Sequence, residues 1–148
     1  MSKAKGDRYE DILKCLNKIY QEEMAGINRY LHYSFMIMGH NRIPIQKWFR
    51  DQANEGMMHA IVIGEKITAL GGHPTHRVGE VPETPSHSID KILEESLTFE
   101  KHGLELYIEL VHLSVAQEDI ALEELGRDMV RQETEHIEEV EKMLRKNK

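Results

Sequence analysis

Met129-Val130-Arg131-Gln132-Glu133-Thr134-Glu135-His136-Ile137-Glu138-Glu139-Val140 is the stretch on which the reading of this chain turns. Steps of three and four connect Leu122, Leu125, Met129, Glu133, His136, Val140 and Leu144, the spacing of one stripe on an α-helix. Two members of that otherwise apolar stripe, Glu133 and His136, are polar. Three residues apart, they project from the same face one turn from each other.

Working outward, three more segments carry a stripe of the same kind. The first runs from about Asp7 to Met38 and aligns Ile12, Leu16, Ile19, Glu23, Ile27, Tyr30 and Ser34. The second aligns Ile45, Trp48, Gln52, Glu55 or Gly56, His59, Ile63 and Leu70. The third aligns Ile92, Ser96, Glu100, Gly103 or Leu104, Tyr107 and Val111. Each half of the chain therefore pairs a glutamate on one helix with a histidine on the next, Glu23 with His59 and Glu100 with His136, and both intervals are 36 residues.

The punctuation between the segments sets the topology. Gly39 to Ile43 make a short turn, and Pro44 suits the first turn of a helix, where a missing N–H costs nothing. Gly71-Gly72 is a natural C-terminal stop. From His73 to His87 the chain holds Pro74, Pro82, Pro85 and Gly79, which favours an extended connection long enough to run from one end of a bundle to the other. Ser88 is placed to cap the third helix, and a short polar break at Ala116 to Asp119 separates it from the fourth. Short, long, short connections predict an all-α four-helix bundle, two antiparallel hairpins joined by a long crossover, as a single domain over residues 1–148.

Composition fits a compact domain. A chain of 148 residues, 40% hydrophobic and 30% charged, is an ordinary folded protein; at this size roughly 70% of the unfolded surface can be buried, so polar groups can be held inside at some cost. The formal net charge of -7 argues against a surface that neutralises phosphates and so against a nucleic-acid partner. No apolar run approaches the ~20 residues that span a bilayer, and the polar start lacks the apolar core of a signal peptide. A cytoplasmic protein with no membrane partner is the expectation. The lone Cys15 permits no internal disulfide and reads as a core thiol; His73, His76 and His87, in the polar connection, read as surface residues.

Inner carboxylates need a counter-charge. A single glutamate or histidine on a stripe is usually a solvated edge residue, but Glu23, His59, Glu100, Glu133 and His136 all fall on inner stripes at matched intervals. Three ionised carboxylates cannot neutralise one another, and burying them unpaired is costly. A divalent cation resolves the conflict, and oxygen with imidazole donors suits iron, manganese or zinc.

These residues carry a resemblance to bacterioferritins and other ferritin-like di-iron proteins that extends over about nine tenths of the chain. Glu23-Met24-Ala25-Gly26-Ile27-Asn28-Arg29-Tyr30 resembles the first ligand helix, Met57-Met58-His59-Ala60 the end of the second-helix motif, Leu70-Gly71-Gly72-His73-Pro74 the turn after it, and Leu97-Thr98-Phe99-Glu100 with Glu133-Thr134-Glu135-His136-Ile137 the third and fourth helices. Bundles of this kind hold two metals with a Glu from each of two helices and Glu-x-x-His from the other two. By that resemblance Glu23 and His59 would ligate one iron, Glu100 and His136 the other, and Glu133 would bridge them. Glu23, Glu100 and Glu133 would then serve the oxidation of ferrous iron by oxygen or peroxide and its storage, with zinc or manganese able to substitute. Tyr30 would stand nearby as an aromatic partner.

The sequence departs from that family's pattern in two places. The second bridging glutamate is expected three residues before His59, where Gly56 stands. Glu55, next to it, either reaches inward through a π-bulge eased by the glycine or faces solvent. Family members also continue into a short fifth helix that lines the pores of a cage, whereas this sequence ends at Lys148. A homo-oligomer is expected, as a dimer, a smaller shell or a cage with wider pores. Met57 occupies the register of the family's haem-ligating methionine, which implies haem b between two subunits and, with Gly56 in place of a ligand, an alternative role as a haem-binding or electron-transfer subunit partnering another ferritin.

Overall fold

The computed structural model describes residues 9–147. Four helices follow one another, α1 Glu10–Met36, α2 Arg42–Ala69, α3 Ile89–Ala116 and α4 Ile120–Leu144, with no strand among the described residues. The chain is an all-α four-helix bundle, as the stripes require. Asp7, the expected start of α1, lies outside the described residues.

Local chemistry sets most boundaries. At the end of α2, Gly71 takes φ +85° and its N–H donates to the Thr68 carbonyl at 3.0 Å, while the Gly72 N–H reaches Ile67 at 2.9 Å. That double closure satisfies carbonyls the helix leaves open. The end of α3 repeats it without glycine: Glu118 sits at φ 55°, its N–H donating to Val115 and that of Asp119 to Ser114, both at 3.0 Å. Asp119 then caps α4 by accepting from the Leu122 N–H at 3.0 Å, and Ser88 caps α3 by accepting from the Lys91 N–H at 3.3 Å. Pro44 falls in the first turn of α2. The first helix stops at Met36 rather than Met38, because Ile37 turns extended and the Arg42 guanidinium donates to the Phe35 and Ile37 carbonyls.

Residues 70–88 form the crossover. Asn17 of α1 holds it by accepting from the Thr75 N–H at 2.9 Å and donating to the His73 carbonyl at 3.3 Å, and the Gly79 N–H donates to the Gln21 carbonyl at 3.0 Å. The approach at Gly79 is so close that a Cβ there would lie 3.1 Å from the Gln21 oxygen.

Helix α1 packs on α2 and α3 on α4, and the two hairpins meet chiefly along α1 against α3. Two apolar clusters fill the bundle. One gathers Ile12, Leu16, Ile19, Ile63, Ile67, Leu110 and Leu122 among others, and includes Cys15, whose thiol lies against the Leu106 carbonyl. The other gathers Tyr30, Tyr33, Ile37, Phe49, Ile92 and Val140. In α2 it is Phe49 that is fully buried, while Trp48 packs against this cluster from outside. Each buried aliphatic side chain contributes about 1.5–3 kcal/mol. Between the clusters, the stripe positions are Glu23, His59, Glu100, Glu133 and His136.

Candidate metal centre

Because the two hairpins present their polar interruptions at the same level, six ionisable side chains from four helices meet around one small cavity. Glu23, Glu55, His59, Glu100, Glu133 and His136 all line it, with Gly26, Gly56 and Gly103. Glu100 and Glu133 are each 5% exposed and His59 7%, so nothing but neighbouring side chains is there to neutralise them.

The two histidines turn the same nitrogen inward. His59 Nδ1 lies 3.5 Å from Glu23 Oε1 and 3.8 Å from Glu133 Oε1, and His136 Nδ1 lies 3.7 Å from Glu100 Oε2. These separations are too long for hydrogen bonds. They fit donor atoms that share an ion: ligands about 2.1 Å from one metal stand roughly 3–4 Å from each other. Among the described residues two such sets exist, Glu23 with His59 and Glu133, and Glu100 with Glu133 and His136, each with its donor atoms within 4.8 Å of one another. Glu133 belongs to both. Its Oε2 is buried without a hydrogen-bond partner, an arrangement that costs stability unless a cation or proton fills it.

Without a cation, protons do the neutralising. Burial, and then the adjacent Glu100 carboxylate, push the Glu133 carboxyl far above the usual range, so it holds a proton. Glu100 moves the other way: burial opposes its charge, but the Glu133 proton and the His136 imidazole stabilise it as the anion. Burial works against a charged His59, yet the Glu23 carboxylate, with Gln132 and Glu55, raises it to about 9. His136 is raised too, against its own burial, chiefly by Glu100.

Two buried tyrosines complete the arrangement. Tyr30 on α1 donates to Glu100 Oε1 on α3, and Tyr107 on α3 donates to Glu23 Oε1 on α1 at 2.6 Å. Burial first, then the neighbouring glutamate, raise both phenols well above their ordinary range and keep them donors. Sequence reasoning singled out Tyr30 and passed over Tyr107. The signal was present: each tyrosine follows its half's glutamate by seven residues, just as each histidine follows it by 36.

The break in the set falls on α2. Gly56 puts no side chain in the cavity, and α2 is regular α-helix throughout, with no π-turn to swing Glu55 inward. Glu55 instead lies at the rim with its side chain 42% exposed, Oε1 3.9 Å from His59 Nε2 and Oε2 3.7 Å from His136 Nε2. It faces the outer nitrogens of both rings. Met57 is 46% exposed on the outer side of α2, beside Met58, Ile61 and Val62, and does not line the cavity.

Four helices with carboxylates and imidazoles converging at mid-height are the architecture of the ferritin-like bundles. The chain belongs to the ferritin-like domain family, which matches residues 13–148. It is 26% identical over 130 residues to a bacterial non-heme ferritin of Bacteroides fragilis, covering 85% of this chain and 79% of the relative. Among solved structures it is similar to a ferritin-like diiron-carboxylate protein of Bacillus anthracis, with TM-score 0.89, 24% identity and 98% and 100% of the two chains covered. It also resembles the bacterioferritin of Desulfovibrio desulfuricans, whose structure contains a diiron site, with TM-score 0.87, 22% identity and 97% and 83% covered. No helix among the described residues is long and apolar enough to cross a membrane.

Proposed function

We propose that the protein binds two ferrous ions between its helices and oxidises them with oxygen or peroxide, as a step in storing or detoxifying iron. The observation that carries this reading is Glu133: one buried carboxylate with an unpartnered oxygen belongs to both donor sets. Glu23 with His59 would hold one ion, Glu100 with His136 the other, and Glu133 would bridge them. Two ions sharing that carboxylate would sit close enough to give one electron each to a single two-electron oxidant. Tyr30 and Tyr107 hold Glu100 and Glu23 in place, the outer support that ligating carboxylates need. Zinc or manganese suits the same donors.

Anaerobic titration with ferrous iron should saturate at two ions per chain, and admitting oxygen should raise the ferric absorbance. Glu133→Ala should abolish both. Wild-type protein that binds no iron, or holds it without oxidation, refutes the respective half of the proposal.

The exposed apolar residues on the α1–α2 hairpin, Leu31, Phe35, Met57, Met58, Ile61 and Val62, support a homo-oligomer built on that face. They also leave room for a second reading, in which Met57 from each of two copies ligates haem b and the chain serves as a haem-binding or electron-transfer subunit. A Soret band in the protein as isolated, lost in Met57→Leu, would establish it; a spectrum without the band removes it.

A further inference from the structure

The halves of the site correspond residue by residue. Glu23 and Glu100, Tyr30 and Tyr107, Gly56 and Glu133, and His59 and His136 are each 77 residues apart. By the same interval Glu55 corresponds to Gln132. That correspondence bears on Glu55, because Gln132 has a clear partner: its Oε1 lies 3.0 Å from His59 Nε2. Its amide nitrogen donates to Asp128 at 2.8 Å, and Asp128 in turn accepts from Arg131 at 2.8 Å. With the amide N–H committed to Asp128, the Gln132 oxygen accepts, and the hydrogen it accepts is the one on His59 Nε2.

A neutral imidazole protonated on Nε2 carries its lone pair on Nδ1, the nitrogen that faces Glu23 and Glu133. Gln132, on α4, thus orients the histidine of α2. Across the site the relation reverses: Glu55, on α2, places Oε2 3.7 Å from Nε2 of His136 on α4, and that Nε2 has no hydrogen-bond partner. A small rotation of the Glu55 side chain, 42% exposed at the rim, closes the gap.

We infer that Glu55 and Gln132 are a crossed pair of positioning residues, each holding the histidine of the opposite hairpin by its outer nitrogen so that Nδ1 points at the metal. The inference rests on the metal reading of the site and changes the part played by Glu55, from stand-in for the ligand missing at Gly56 to outer partner of His136. Groups of this kind set ring orientation and ligand basicity, and their loss lowers metal affinity by about 10- to 100-fold without removing a coordination position.

The test uses Co(II), read by its visible ligand-field bands, and Zn(II), read by imidazole 15N NMR. Wild type should bind two Co(II) per chain, and in the Zn(II) protein both His59 and His136 should carry their proton on Nε2. Glu55→Ala should still bind two Co(II), one of them about 10- to 100-fold more weakly, and Glu55→Gln should restore most of the loss because its amide oxygen accepts the same hydrogen. Gln132→Ala should weaken the other ion instead. One Co(II) lost outright in Glu55→Ala, Glu55→Gln no better than Glu55→Ala, or Nε2 found on the metal overturns the inference while leaving the site reading intact. Wild type that binds no Co(II) overturns both.

Discussion

Replacing Tyr107 with phenylalanine removes one oxygen atom and keeps the ring. The side chain is 1% exposed and donates to Glu23 Oε1 at 2.6 Å, and a phenylalanine ring puts no donor in the hydroxyl's place. A buried hydrogen bond to a charged acceptor contributes about 1.5–3 kcal/mol, since losing it strands the charge. For a domain of this length each kcal/mol moves Tm by about 2–4 °C. The metal-free Tyr107→Phe protein should therefore melt about 3–12 °C below wild type in scanning calorimetry, and Tyr30→Phe, which removes one of the donors to Glu100, should lower it in the same direction. Tyr20→Phe is the control: that ring packs near Gly64, and its hydroxyl has no hydrogen bond among the described residues. A Tyr107→Phe midpoint within 1 °C of wild type, or a Tyr20→Phe loss of equal size, would refute the claim that Tyr107 stabilises the Glu23 carboxylate.

Four further outcomes follow. His59 is raised to about 9, so its contribution to the metal-free fold is fully present below its ordinary value near 6.5 and is lost as pH rises through 9; melting of the metal-free protein should show that decline. Metal must displace the same proton, so apparent Co(II) affinity should climb over that interval, with protons released into a weakly buffered solution. Gly56→Glu places a Cβ 3.3 Å from Ile27 Cγ1 and 3.6 Å from Glu23 Oε2, so the added carboxylate should lower the melting point of the metal-free protein and tighten Co(II) binding. Unchanged binding would show that position 56 does not reach the ions. Glu118→Gly relieves a left-handed backbone conformation that costs a non-glycine residue about 1–2 kcal/mol, and should raise Tm by a few degrees in calorimetry.

What could be read in the sequence was whatever local chemistry decides. Gly71-Gly72, Pro44 and Ser88 mark helix ends through their own backbone preferences, and the structure uses all three. The end of α1 could not be read that way, because it depends on Arg42 folding back onto the carbonyls of residues 35 and 37. The turn at Glu118 carries no glycine to announce it. Within the site, Glu23, His59, Glu100, Glu133 and His136 stood out as polar breaks in apolar stripes, and the structure brings all five together. Glu55 was harder, since adjacent register positions differ by about 100° around a helix, and only the facing helix decides which polar atom it meets. Tyr107 was overlooked because a tyrosine on an apolar stripe passes for core until its hydroxyl is placed beside a carboxylate. Trp48 and Phe49 exchanged roles for the same reason: periodicity fixes a face, not which of two neighbouring rings goes deepest.

The polar level between the two apolar clusters also governs how the helices line up. Sliding α3 by one turn, about 5.4 Å, would carry Glu100 away from Tyr30 and His136 and set its charge against the apolar residues that the neighbouring helices place on either side of the site. An all-leucine interface would tolerate such a shift, because one apolar layer is much like the next. The carboxylates make every alternative alignment costlier than the native one, so the residues proposed to receive the metal also act as a ruler against which the four helices are set before any ion arrives.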